Sequence, residues 1–139
     1  MTASCAVFSP SFDAVLLHLH RKAGVWLQFG GHIERTDAGA RAAARRETRE
    51  ESGLTELTWL SPLPVDVHRH ALAGRFGSCA EHTDIVFAAT ADPAAATRRS
   101  AESAGLAWSA LAELPDGIAA DLPDRLPAIA ARARRLARG

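Results

Sequence analysis

The sequence predicts an α/β (α+β) protein, a mixed β-sheet with helices packed on it. Three observations predict this. Several short apolar strand candidates precede one long charged helix candidate, more strands follow it, and an Ala/Arg/Leu helix ends the chain. Turn residues punctuate the strands at short intervals, without repeats, long linkers or low-complexity segments. The chain has 139 residues, of which 47% are hydrophobic, enough for a core of its own; we expect one domain over 1–139.

Taken in order, Cys5 to Phe8 is a short apolar strand candidate, followed by a Ser-Pro-Ser-Phe-Asp turn. Ala14 to His20 reads as a buried strand, and Val25 to Phe29 as another that leads into a Gly30-Gly31 turn. Between Ala38 and Ser52 there is no proline and one glycine, near the start, among alanines, arginines and glutamates, so this stretch predicts a helix. Thr36 and Asp37 stand where an N-cap would satisfy the first free amides, and Gly53 where the helix should stop. Leu57 to Leu60, Val65 to Leu72, His82 to Ala91 and Leu106 to Ser109 are the later strand candidates. Gly74 to Gly77 and Ala94 to Ser103 read as loops, the latter with room for one helical turn. Leu122 to Arg138 is a helix capped by Asp121, with prolines near its start.

The first helix carries an unusual charge pattern. At 3.6 residues per turn, Glu47, Glu50 and Glu51 project from one side, with Ala40, Ala43, Ala44 and Leu54, while Arg41, Arg45 and Arg49 line the opposite, water-facing side. Stability alone would select otherwise. Glu47 with Glu51, Arg41 with Arg45 and Arg45 with Arg49 are like-charged i, i+4 pairs. Glu50 and Glu51 also lie at the helix C-terminus, where the macrodipole disfavours negative charge. A bound divalent cation would turn both liabilities into binding energy, and clustered carboxylates suit oxygen-seeking Mg²⁺ or Mn²⁺.

The stretch Gly31 to Leu54, ending in Arg46-Glu47-Thr48-Arg49-Glu50-Glu51-Ser52-Gly53-Leu54, resembles the signature box of the Nudix hydrolases. Two departures stand out. Asp37 replaces the first glutamate of the pattern, with one extra residue before Arg46, and Thr48 stands where an aliphatic residue is usual. Asp37 is therefore expected to cap the helix. The resemblance implies a Nudix-like α/β/α sandwich and a pyrophosphohydrolase acting on a nucleoside diphosphate linked to another moiety, with Mg²⁺ or Mn²⁺. It further implies metal ligands Glu47, Glu50 and Glu51 with the Gly31 carbonyl, and Arg46 orienting a box glutamate. The general base would be a box carboxylate or a glutamate on a later loop, for which Glu102 is the candidate and Glu81 the weaker rival. A homodimer is compatible with similar proteins. The alternative is a catalytically silent Nudix-fold module that binds or senses nucleotides, but such modules usually lose the charged box.

Composition excludes several other classes. With 16 basic and 16 acidic residues the net charge is zero, so no general attraction to nucleic acid or acidic lipid follows. No apolar stretch reaches spanning length, and the N-terminus lacks an export-signal pattern, so a cytoplasmic protein without membrane contact is expected. Cys5 and Cys79 lack metal-type spacing and read as reduced thiols. His18, His20, His68 and His70 read as polar residues on exposed strand faces, which with Arg69 and Arg75 would line a phosphate-facing rim. Trp26 precedes the glycines and is a candidate to stack on a base, although strand aromatics more often belong to a core.

Overall fold

The computed structural model describes residues 1–71 and 81–139. The strands are β1 (Thr2–Phe8), β2 (Ala14–His20), β3 (Trp26–Leu27), β4 (Phe29–His32), β5 (Thr58–Trp59), β6 (Asp66–Ala71), β7 (Glu81–Thr90) and β8 (Ser103–Ala110). The helices are α1 (Ala40–Ser52) and α2 (Leu122–Arg138). Among the described residues the strands form one mixed sheet. β1 lies inside it, antiparallel to β2 and β4 and parallel to β7, while β2 also pairs with β3 and β8, and β7 with β5 and β6.

Alternation along β1 sends its residues to two layers. Ala6 and Phe8 join Val15, Leu17, Val86 and Ala88 beneath Leu122, Leu126, Ile129 and Ala133 of α2. Ala3, Cys5 and Val7 face the other side, where Ala43 and Ala44 of α1 sit against Ala3 and Phe87. The alanines let α1 approach the sheet closely, so Glu47, one turn further on, lies against Gly31, and Glu51, two turns on, accepts the Gly30 N–H of β4. This is the α/β/α arrangement expected from the sequence.

Three expectations need correction. Val25 to Phe29 is not one strand: it divides into β3 and β4, and Gly30 and Gly31 lie inside β4 instead of forming a turn. They are strand glycines because two walls press on them. A Cβ on Gly30 would stand 2.6 Å from Ser4 Cβ, and one on Gly31 would stand 2.7 Å from the Glu47 carboxyl. The α1 N-cap is Gly39, at φ 133, with no side-chain cap, so neither Thr36 nor Asp37 fills that role. His18 is not on an exposed face: it is 1% exposed, stacked on Phe29 at 5.2 Å, and bonded through Nδ1 to Ser103 Oγ at 2.6 Å. Gly53 does end α1 as expected, in the left-handed region at φ 72, donating to Arg49 O at 2.9 Å. The Gly74 to Gly77 loop, Arg75 and Cys79 lie outside the described residues, as do the side chains of His70 and Glu81.

Cys5 is fully buried, and burial pushes its thiol up to about 12. Because alkylation needs the thiolate, Cys5 is expected to resist iodoacetamide at pH 8 in the folded protein and to react only once denaturant opens the core. Mass spectrometry of the labelled peptide checks this.

Candidate active site

Arg46 is the hub of the α1 face. Its Nε and Nη2 donate to the two Asp37 oxygens at 3.0 and 2.9 Å, and its Nη1 donates to Glu47 Oε1 at 2.8 Å. Glu34 and Glu50 lie farther off, at 3.8 and 3.6 Å from Nη1. Asp37 thus closes a planar two-point pair with the guanidinium. It also accepts the Glu34 N–H at 2.8 Å, which folds the loop before α1 back on itself. The arginine holds the Asp37 carboxyl below the usual carboxylate range, and the Arg46 guanidinium is raised in return.

Thr48, the other departure from the box pattern, is buried with its hydroxyl donating to Ala44 O at 2.7 Å. That bond satisfies the only polar group a threonine adds to an aliphatic position. Leu54, just past the Gly53 stop, is buried beside Phe29 and Leu16 and anchors the end of the helix.

Glu51 is drawn inward. Its side chain is 4% exposed, Oε1 accepts the Gly30 N–H at 2.8 Å, and Oε2 lies 3.5 Å from His18 Nε2. Burial is the largest influence on its acidity and raises it. The Gly30 N–H opposes that rise, the nearby Glu47, Glu102 and Glu50 add to it, and the carboxyl ends at about 8. His18 is moved down to about 4, first by burial and then by His20, against a backbone hydrogen bond with Gln28. The 3.5 Å approach therefore has the geometry of an ion pair but not its charges: in the metal-free protein both groups are neutral at pH 7. Glu47 is likewise raised, by burial first, with Arg46 opposing.

Glu34, Arg46, Glu47, Glu50, Glu51 and the Ser100-Ala101-Glu102 loop line one cleft of about 400 Å³. Glu50 is 59% exposed at its mouth, and Glu102 is an exposed residue of the opposite wall. Of the site residues expected from the sequence, this cleft collects Arg46, Glu47, Glu50, Glu51 and Glu102, with Gly31 against Glu47. Trp26 is not among them; it is half-buried, packed on the core beneath α2, and lines neither this cleft nor the second one described below. Arg69 is exposed on β6, paired with Thr83, and lines neither cleft. Arg75 lies outside the described residues. Among the described residues no three His, Cys, Asp or Glu side chains already converge as a metal shell.

The reading of the sequence missed Glu34, the Asp37–Arg46 pair and His18. It also missed a second cleft, of about 300 Å³, on the α2 side of β4. Thr2, Ser4, Gln28 and Asp84 line it, together with Leu122 and Arg125 of α2. Gly30 and Gly31 border this cleft as well, so β4 is a wall between the two. The signal available was the polar residues at alternate positions ahead of Cys5, which fell outside the predicted strand.

The sequence matches the NUDIX domain family model over residues 1–131. The chain belongs to the Nudix family. Among solved structures, a Nudix-family hydrolase from Clostridium perfringens shares 27% identity, with 97% of this chain and 96% of that one covered and a TM-score of 0.72. The Caenorhabditis elegans Ap4A hydrolase in a binary complex has a TM-score of 0.76 at 18% identity, covering 94% of each chain. The Nudix domain of Shewanella oneidensis NrtR, complexed with ADP ribose, has a TM-score of 0.68 at 18% identity, covering 96% of this chain and 86% of that one. No curated protein matches the chain. This Nudix chain is a hydrolase of phosphoric anhydride bonds, and enzymes of its family generally work with divalent cations. Among its described residues no helix is long and apolar enough to cross a membrane.

Proposed function

We propose that this Nudix hydrolase is a Mg²⁺- or Mn²⁺-dependent pyrophosphohydrolase that cleaves the diphosphate of a nucleoside diphosphate linked to another moiety. The observation that carries the reading is the cleft in which Glu47, Glu50, Glu51 and Glu102 face one another with Arg46 as their only nearby cation among the lining residues. Self-repelling carboxylates, two of them with raised pKa, fit a hard divalent ion. Glu47, Glu50, Glu51 and the Gly31 carbonyl would hold it. When bound, it supplies charge neutralisation to the diphosphate oxygens and acidifies water.

The chain's own groups do the rest. Arg46 keeps Glu47 turned toward the cleft while Asp37 fixes the guanidinium from behind. Gly30 N–H fixes Glu51 Oε1, so this carboxylate presents one free edge. Glu102, facing the box across the cleft, accepts the proton of the attacking water as general base. The Ap4A hydrolase and the ADP-ribose complex among the similar structures support a nucleotide-derived substrate.

Incubating the protein with ADP-ribose, Ap4A, nucleotide sugars and oxidised nucleotides, with Mg²⁺ or Mn²⁺ and a coupled phosphatase, tests the reading. Phosphate release that a chelator stops is expected; no release across the panel would refute it. Arg46→Lys is expected to lower kcat about 10- to 100-fold. A single ammonium cannot hold the Asp37 pair and Glu47 together. Steady-state kinetics with a metal titration checks this, and an unchanged rate would remove Arg46 from the machinery.

A further inference from the structure

At the Asp84 end of the second cleft the hydrogen bonds all run one way, toward the carboxylate. Thr2 Oγ1 and Ser4 Oγ donate to the two Asp84 oxygens at 2.9 and 2.8 Å. Each hydroxyl has one proton, so each must accept its other bond. Ser4 Oγ therefore takes the Gln28 Nε2–H at 2.8 Å, and Thr2 Oγ1 takes the His82 Nε2–H at 3.0 Å. This assigns the Gln28 amide: nitrogen toward Ser4, oxygen away from it. Gln28 is 8% exposed, and its Oε1 is buried without a hydrogen-bond partner among the described residues. Each Asp84 oxygen keeps a second lone pair, and no arginine or lysine is bonded to it among the described residues.

The Asp84 end of the cleft thus offers three acceptors, two from Asp84 and one from Gln28, joined through Ser4, beside the apolar surfaces of Leu27 and Leu122, while the Asp121 carboxylate, which also lines the cleft, is bonded to Arg125. A phosphate at this end would meet Asp84 charge to charge, and the Arg125 guanidinium of the same cleft is already bonded to Asp66 and Asp121. A planar ring with three N–H donors along one edge would satisfy every acceptor.

We infer that this cleft binds the amino-lactam edge of a guanine-type base, N1–H and the 2-amino group together, with Asp84 and Gln28 as specificity-determining residues. The inference rests on the proposed diphosphate hydrolysis, because β4 then separates a reacting end at Glu47 from a recognised end at Asp84. Ribose hydroxyls are the competing donors, and they supply two protons where the site accepts three.

The test is binding of GDP, IDP, ADP and 2′,3′-dideoxy-GDP by calorimetry, with divalent ions chelated so that turnover is suppressed. Sites built to bond a donor reject analogues lacking it, so GDP is expected to bind at least about tenfold more tightly than IDP or ADP, and dideoxy-GDP as tightly as GDP. Asp84→Asn and, separately, Gln28→Leu should bring GDP down to the IDP level, with circular dichroism and melting temperature showing that each variant folds. Equal binding of GDP and IDP, loss of affinity on removing the ribose hydroxyls, or no GDP binding would each overturn the inference. GDP selectivity in a protein that hydrolyses nothing would instead refute the proposed activity and leave the base site standing.

Discussion

Glu51→Gln is expected to lower kcat by about 10³-fold with no loss of thermal stability. A divalent ion contributes several kcal/mol of transition-state stabilisation, and each 1.36 kcal/mol is about a factor of ten in rate. Glutamine cannot bind that ion as a carboxylate does, yet its carbonyl can still accept the Gly30 N–H. Folding should tolerate the change, because the buried carboxyl is held protonated to about pH 8 and glutamine mimics that neutral form. The sign follows from linkage. A carboxyl whose folded pKa is raised binds more protons folded than unfolded between about 4.3 and its folded value, so metal-free stability falls as pH rises through that window. The substitution should flatten that fall. Glu50→Gln, at an exposed position, should lose activity with little change in stability. Assaying turnover beside thermal melts from pH 5 to 9 separates the outcomes: wild-type rates in both variants would show that the reaction centre lies elsewhere.

Gly31→Ala is expected to reduce kcat/KM about 10²-fold or more with only a small change in melting temperature, whereas Gly30→Ala should mainly destabilise. The new methyl at Gly31 would stand 2.7 Å from Glu47 Cδ and Oε1, the far end of a flexible side chain that can swing away. It would swing out of the position Arg46 gives it, and misplacing a catalytic group by about 1 Å costs on the order of 10² in rate. At Gly30 the methyl meets Ser4 Cβ at 2.6 Å and the Ala3 carbonyl at 2.8 Å, and that backbone cannot move without breaking β1–β4 pairing. Overpacking of this kind costs about 1–3 kcal/mol. Unfolding midpoints and kinetics on the same two samples check the contrast; equal behaviour of the two variants would contradict the two-walled strand.

Local chemistry made much of this legible. The α1 helix was readable from its helix formers and its glycine stop, and the structure begins it two residues later than expected only because Gly39 takes the cap. The carboxylate face was readable because its spacing ran against stability. Partners distant in sequence hid the rest. Asp37 has the composition of a cap, and Arg46, nine residues on, decides otherwise. His18 is polar by type and buried by Phe29, Ser103 and Glu51, two of which lie far along the chain. The Asp84 site needs β1 beside β7, a pairing between residues 82 apart that no window along the chain displays.

That pairing also governs how the molecule is made. β1 leaves the ribosome ahead of the other strands of this sheet, yet it is flanked in the finished sheet by β7, residues Glu81–Thr90. A nascent chain must hold an apolar β1 with one edge unpaired until β7 has been synthesised, an interval in which such edges are prone to aggregation. Closing the interior so late places the protein among slow, non-local folders. Chaperone demand during synthesis should therefore track the arrival of β7, and not the earlier completion of α1.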